Sequence, residues 1–402
     1  MHDQFPVIEA PDFYDLPWHL PLEEWDGHTP RLEELPRGES RHPVVFVNYN
    51  GLLYAIKEMP GDLAETEYKL LVQLEASSIH AVIPVAWRRS EVPTTPRRGM
   101  LITHYLDHSI PYRTLFQHGG LERYRKHLLD AMAGLLVQLH LAGVFWGDCS
   151  LSNTLFRRDA GALQAYLVDA ETAEIHPRGL TPELRHLELD IMDENVGREL
   201  SELLFEAAQA GFQPGITIPA TDAGMYIRLS YQRLWEEIRK EIIINPGENY
   251  RIQERIRVLN DLGFSVGSVE MVERDSGSQV ILRPIVTDRT FHRDQLFTLT
   301  GLDTEEMQAR KMMNEILQLQ ASLSRREYRN IPLNVAAYHW QNNVYLPTIT
   351  HLRNMVNENT NEVELYCEVL ENKWYLSEQA FHDVGHEVAA LDYVRRFSTP
   401  SN

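Results

Sequence analysis

Trp146-Gly147-Asp148-Cys149-Ser150-Leu151-Ser152-Asn153 fills the gap between an apolar helical run, Leu121 to Ala142, and a strand-like triplet, Thr154-Leu155-Phe156. Sixteen residues after Asn153 a second apolar strand, Leu167-Val168, ends on Asp169. Acid, amide and strand-end acid, in that order, form a set of hard oxygen donors. Mg²⁺ prefers such donors and keeps several waters, so few protein ligands suffice. Phosphoryl transfer needs this set: one acid positions or deprotonates the acceptor hydroxyl, while the amide oxygen and the second acid hold Mg²⁺ on the phosphates. Asp148 is the candidate for the first role, and Asn153 and Asp169 are the candidate metal ligands. Singly, each has a plainer use. Asp148 suits a turn after Gly147, and Asp169 suits a helix N-cap. The ordered set is what argues against those uses.

Upstream, Val44 to Tyr49 and Leu52 to Lys57 are β-branched and aromatic runs separated by Asn50-Gly51, a strong hairpin signal. Lys57 ends the second strand, and a nucleotide site wants a fixed cation there with a carboxylate to set its pose. The next segment, Ala64 to Glu75, is a helical stripe that offers Glu67, with Glu65 as the other candidate. Met100 to Leu106 then links a small sheet to a helical region. The backbone around Thr103 and Tyr105 is the expected adenine-binding hinge. No Gly-x-Gly-x-x-Gly loop is present. Pro36-Arg37-Gly38-Glu39-Ser40-Arg41 is the one candidate phosphate loop, with Gly38 its single glycine, and an ordinary turn is an equal reading of it.

At 402 residues the chain predicts more than one domain. Residues 1–30 read as an irregular arm that packs on the body or stays mobile. Residues 31–104 read as a small sheet with one helix, and 105–244 as a helical region. Asn245-Pro246-Gly247-Glu248-Asn249 is a breaker cluster that opens a third region, 245–402, mostly helical with one hairpin at Ser268 to Val286. Helices are predicted over Thr181 to Gly211, Asp222 to Ile243, Tyr250 to Gly263 and Asp303 to Ser324. The last is expected to start on Asp303 or Thr304, with Glu306 closing a capping box. The fold class is α+β.

A formal net charge of −20 speaks against nucleic acid as a partner. No stretch is long and apolar enough to span a membrane, and the start of the chain carries no secretion signal. A cytoplasmic location is expected. The two cysteines, Cys149 and Cys367, show no metal-type spacing, and Cys149 reads as a small loop residue. His382 and His386 stand at i and i+4, a metal-ligand spacing. Asp383 follows the first of them where the metalloprotease pattern requires Glu, and with 17 histidines chance pairs are expected. His104 and His108 share the spacing in a strand-like context. Trp340, Trp374 and Tyr375 suit an aromatic core.

Lys57, Glu67, Asp148, Asn153 and Asp169, in this order, resemble the kinase-like superfamily, in particular its lipopolysaccharide kinase-like branch, over roughly residues 30 to 240. Arg255 to Phe264, Leu299 to Asp303 and Trp374 to Glu378 resemble the bacterial domain-of-unknown-function family 4032. The resemblance implies a two-lobed protein-kinase-like fold with an additional, mostly helical α+β C-terminal domain. It implies an ATP- and Mg²⁺-dependent phosphotransferase acting on a hydroxyl of a sugar, metabolite or protein. A nucleotide-binding pseudokinase, whose C-terminal domain recruits a protein partner, is the alternative. The sequence departs from the pattern at three points. Trp146 stands where many relatives carry His, Asp169-Ala170-Glu171 replaces Asp-Phe-Gly, and the glycine-rich loop is missing.

Overall fold

The computed structural model describes residues 11–35, 41–77, 79–89, 97–117, 124, 127–209, 211, 219–240, 242–244, 268–274, 279–285, 291–329, 331–356 and 360–397. The chain divides into two compact units. One comprises Met1–Phe156 and Ala165–Tyr231, the other Arg157–Gln164 and Gln232–Asn402. The Asn245 to Asn249 cluster, the Tyr250 to Gly263 helix and the turn at Asp275 to Ser278 lie outside the described residues.

The first unit starts with an antiparallel sheet in the order β1-β2-β3-β5-β4: β1 Leu32–Glu33, β2 Val44–Tyr49, β3 Leu52–Pro60, β4 Pro84–Arg89 and β5 Arg98–His104. The β2–β3 hairpin turns at Asn50 and Gly51, both at positive φ, with Tyr49 opposite Leu52. A two-residue turn that matches strand twist needs positive φ at both positions, which Asn-Gly supplies cheaply. Alternation along β3 sorts its side chains to two faces. Tyr54 and Ile56 face a core shared with Phe13, Leu16, Trp18, Leu22 and Trp25. Residues 13–25, expected as an irregular arm, thus cap one face of the sheet. Glu58, on that same face, accepts the Leu22 N–H at 3.1 Å.

The other face carries α1, Gly61–Ala76. Ala64, Glu67, Leu70, Leu71 and Leu74 form its buried stripe, so Glu67 points inward at helical spacing. Helix and sheet touch at Gly99, where a Cβ would stand 2.9 Å from both the Ala64 Cβ and the Gly61 Cα. Beyond β5 come the helix Leu128–Leu141, a short strand β6, Ile110–Pro111, paired with β8, and the β8–β9 hairpin, Thr154–Asp159 and Ala162–Leu167. Gly143, at φ 76°, follows the helix and permits the tight exit. A parallel bridge joins Ala81 to Leu167 at the end of β9. Helices Pro182–Gln209 and Ala220–Arg239 follow.

The second unit is mostly helical, with a core built on Met312, Met313, Ile316, Trp340, Leu352, Tyr366 and Ala390. Its helix Glu306–Glu327 departs from the expected cap. The capping box is Glu305 with Gln308, whose side chain accepts the Glu305 N–H at 2.9 Å. The expected residues are drawn elsewhere: Asp303 to Arg293 at 2.9 Å, and Glu306 to His292 and the Arg293 N–H. Asp159 accepts the N–H groups of Met307 and Gln308 at 3.2 and 2.9 Å, the latter shared with the Glu305 side chain. Such an N-terminal acceptor satisfies donors that the helix itself cannot.

Candidate active site

Lys57 leaves β3 on the face covered by α1. Its Nζ lies 3.1 Å from Glu67 Oε2 and 3.0 Å from Asp169 Oδ1. Glu67 also accepts the Ala170 N–H at 3.1 Å, so one buried carboxylate holds both the lysine and the strand end that presents Asp169. The other sequence candidate, Glu65, faces Lys69 at 2.7 Å. Burial works against the Lys57 charge, yet Glu67 and then Asp169 outweigh it and raise its pKa. Burial pushes the Glu67 carboxyl up to about 7; Lys57 pulls the other way and Asp169 adds to the push. The two shifts differ in origin, burial first for Glu67 and neighbouring carboxylates for Lys57, and two carboxylates face the single ammonium, a surplus of negative charge. A divalent cation is the kind of group that would discharge it. Oxygens of Glu67, Asp169 and Glu171 all lie within 4.8 Å of one another, the one such acidic or metal-ligating trio among the described residues.

Asp148 and Asn153 are set by the loop between β7, Val144–Phe145, and β8. Gly147 has φ 83°, and a Cβ there would meet the Thr172 carbonyl at 2.9 Å, so no other residue fits without strain. Asn153 donates its amide to the Asp148 carbonyl at 3.0 Å and to Oδ2 at 3.3 Å. With the NH₂ engaged there, the amide oxygen is the end left for a cation. The Val168 N–H donates to the Asn153 carbonyl at 3.1 Å, which sets the Asp169 strand beside the loop. Trp146, fully buried, donates its indole N–H to the Asp169 carbonyl at 2.9 Å. The Trp146 ring therefore ties its own loop to the segment that carries Asp169.

Thr103 is buried in β5, opposite Ala55 of β3. Tyr105 follows it, and its N–H donates to the Leu53 carbonyl at 3.0 Å, while the His104 N–H donates to Ile83 at 2.9 Å. Those two amides belong to the sheet. Gly38 lies outside the described residues. His382 sits in the turn before the Gly385–Phe397 helix and bonds the Ala380 carbonyl, whereas His386 bonds Glu315 at 2.7 Å. The expected single helical face for this pair does not form. Trp374 and Tyr375 are exposed, 65% and 46%, and only Trp340 of those three aromatics is core.

Several residues at the site escaped the sequence reading. Arg41 Nη2 lies 3.0 Å from Asp148 Oδ2, and His42 Nε2 lies 3.0 Å from Glu171 Oε2. Asn195 donates to Asp148 Oδ1 at 3.3 Å and to the Cys149 carbonyl at 3.1 Å. Glu188 Oε1 accepts the N–H groups of Trp146 and Gly147 at 2.7 and 2.8 Å, and its Oε2 meets His140 at 2.7 Å. Glu199 accepts the N–H groups of Leu151 and Ser152 and the Ser152 hydroxyl. A signal did exist. Glu188, Met192, Asn195 and Glu199 recur at i, i+4, i+7 and i+11 on one helix, so polar groups share its apolar stripe. Buried carboxylates in such a stripe need donors opposite them.

Cys149 is fully buried, and burial, then the charges of Glu188, Glu199 and Asp148, drive its thiol well up. Cys367 is equally buried, with its thiol also raised by burial. A thiol held protonated and away from solvent is inert. Titration with a chromogenic disulfide should therefore modify neither cysteine in the folded protein and both in guanidinium. Rapid native labelling of Cys149 would contradict the burial.

Residues 52–196 match the lipopolysaccharide kinase (Kdo/WaaP) family, and residues 233–397 match a domain of unknown function, DUF4032. No curated protein matches the chain. Among solved structures, the chain is similar to WaaP in complex with acyl carrier protein, at 16% identity and a TM-score of 0.35, covering 58% of this chain and 89% of that one. It is also similar to an aminoglycoside-3'-phosphotransferase of type VIII, at 15% identity and 0.32, covering 51% and 95%. No helix among the described residues is long and apolar enough to cross a membrane. The chain thus joins a lipopolysaccharide kinase (Kdo/WaaP) family region, which carries Lys57, Glu67, Asp148, Asn153 and Asp169, to a DUF4032 region.

Proposed function

We propose that the protein is an ATP- and Mg²⁺-dependent phosphotransferase that moves the γ-phosphoryl group to a hydroxyl acceptor. The observation that carries this reading is the Lys57–Glu67–Asp169 cluster together with the Asp148–Asn153 pair. Lys57 takes the α- and β-phosphates, held in pose by Glu67. Asn153 and Asp169 are the residues that would hold Mg²⁺, and their oxygen donors suit it. When bound, the metal neutralises charge on the phosphates. Asp148 orients the acceptor hydroxyl and takes its proton as the new O–P bond forms. The β–γ bridging bond breaks, and ADP leaves with the electron pair. Trp146, Glu188 and Asn195 hold the loop so that Asp148 needs no rearrangement, and a pre-set geometry is where such an enzyme gains rate. A carbonyl of the Thr103–Tyr105 stretch accepts the adenine amine, while Gly38, the proposed phosphate-loop residue, lies outside the described residues.

The domains run 1–30, 31–104, 105–244 and 245–402 in this proposal, with the site in the two lobes of 31–244. The acceptor is a sugar, a metabolite or a protein side chain, and a cytoplasmic location supplies the ATP. The family name is not read as a substrate. One sequence feature, the single glycine in Pro36 to Arg41, favours a second reading: a nucleotide-binding pseudokinase acting through a protein partner of its C-terminal domain.

Calorimetric melting with and without Mg·ATP, followed by γ-labelled ATP with a panel of hydroxyl acceptors, tests both. Mg·ATP at ~100 times its Kd should stabilise the protein by about 2.7 kcal/mol, and Asp169→Asn should remove that gain. No stabilisation of the wild type sinks both readings. Stabilisation without any transfer of label leaves the pseudokinase.

A further inference from the structure

We infer that Arg41 is a catalytic residue that contacts the γ-phosphoryl group in the transition state, and that in the nucleotide-free protein it is parked on Asp148. The inference rests on the phosphotransferase reading and assigns that site a residue the reading does not use.

Lys57 and Arg41 differ in what they are free to do. Lys57 is 13% exposed and engaged by Glu67 and Asp169. Arg41 makes one contact with Asp148, Nη2 to Oδ2 at 3.0 Å, and its side chain is 74% exposed. A single exposed ion pair is weak and exchanges readily. A guanidinium offers five donors in a planar fork that matches phosphate oxygens, so phosphate is the better partner.

Its backbone is held in place. His42, the next residue, is anchored to Glu171 at 3.0 Å, with both side chains largely buried. Glu171 lies in the cluster with Glu67 and Asp169. Arg41 therefore reaches from the metal-binding strand to the acid that orients the acceptor. The phosphoryl group in flight must pass between those two points, because Asp148 contacts the attacking hydroxyl and Asp169 the leaving phosphates. An arginine at that position stabilises the charge on the equatorial oxygens and is worth ~10³–10⁵-fold in rate where it has been removed from related chemistry. The chain has no glycine-rich loop to supply amides there, which leaves a task for such a cation.

The parked state has its own consequence. While Arg41 holds Oδ2 of Asp148, the acid is not free to accept a hydroxyl proton. Nucleotide binding moves the guanidinium to phosphate and releases the base in the same step.

The test compares Kd values for Mg·ADP and for Mg·ADP with aluminium fluoride, a mimic of the transferring phosphoryl group, in wild type, Arg41→Ala and Arg41→Lys. Arg41 is exposed, so unchanged melting temperatures are expected and serve as the folding control. Arg41→Ala should bind Mg·ADP within ~3-fold of wild type, yet lose ~10²-fold or more for the aluminium fluoride complex, short of the full arginine effect on rate. Arg41→Lys should recover only part, since a point charge lacks the fork. An unchanged ratio of the two constants in Arg41→Ala overturns the inference and leaves the phosphotransferase reading standing. Tighter aluminium fluoride binding in Arg41→Ala overturns it too, by showing a plug. A wild type that binds no nucleotide overturns both.

Discussion

Asp148→Asn is expected to lower γ-phosphoryl transfer by ~10²–10⁴-fold, the range that a positioned general base contributes, while the stabilisation by Mg·ATP stays within about 1 kcal/mol of wild type. The split follows from where Asp148 sits. Its carboxylate touches Arg41, Asn153 and Asn195, whereas Lys57 and Asp169 make their contacts with each other and with Glu67. The substitution keeps the shape of the loop, because Asn153 and Asn195 also bond the backbone carbonyls of Asp148 and Cys149. What it removes is the proton acceptor. Initial rates with labelled ATP, measured beside melting curves of the same samples, check this. Transfer within ~3-fold of wild type would remove Asp148 from the role of base.

Glu188→Ala should destabilise the first unit by ~3–5 kcal/mol, the cost of stranding a partner of a buried charged group. Glu188 is fully buried and serves three donors at once: the N–H groups of Trp146 and Gly147, and His140. Its loss leaves two backbone donors without an acceptor inside the protein, each a real penalty in the absence of water. At ~2–4 °C per kcal/mol for a unit of this size, the melting temperature should fall by about 6–20 °C. Glu188→Gln, which keeps one acceptor oxygen, should cost roughly half as much. A loss below ~1 kcal/mol in the alanine variant would mean that the loop finds its acceptors elsewhere. Transfer should fail in Glu188→Ala even at temperatures where it is folded, since Gly147 and Asp148 would lose their fixed pose.

The readable part of this site is local. Asp148 and Asn153 share one eight-residue loop and Asp169 follows a short apolar strand, whereas Lys57, expected at a strand end, lies inside β3, which runs on to Pro60. Strand ends and tight loops announce themselves through β-branched runs and glycine. Glu67 and Glu65 lie two residues apart on α1, and its buried stripe, which includes only Glu67, gives the physical reason for their different partners.

What stayed hidden is non-local. Residues 13–25 carry aromatics without periodicity, and nothing in their order says that they cover the sheet face around Tyr54 and Ile56. The cap of the Glu306–Glu327 helix was placed on Asp303 or Thr304 with Glu306, but those acids are claimed by Arg293 and His292, and Asp159, some 150 positions away, serves the helix start. Local cap rules hold only until a distant side chain competes for the same N–H groups.

By itself, the sequence determined the local parts of the candidate site, hard oxygen donors around one loop and a lysine on an apolar strand. It also determined the hairpins and helices that carry them, through alternation and turn residues. Only the tertiary structure decided how those groups are held and charged. Glu188, Asn195 and Glu199 reach the Trp146–Asn153 loop from a helix some 40 residues on. Arg41 meets Asp148 across 107 positions, and Trp146 joins the loop to the Asp169 strand. Each of these is a contact between residues with no shared local pattern. Burial, which raises the Glu67 pKa, and the carboxylates that raise that of Lys57 against burial, come together only once the chain has folded.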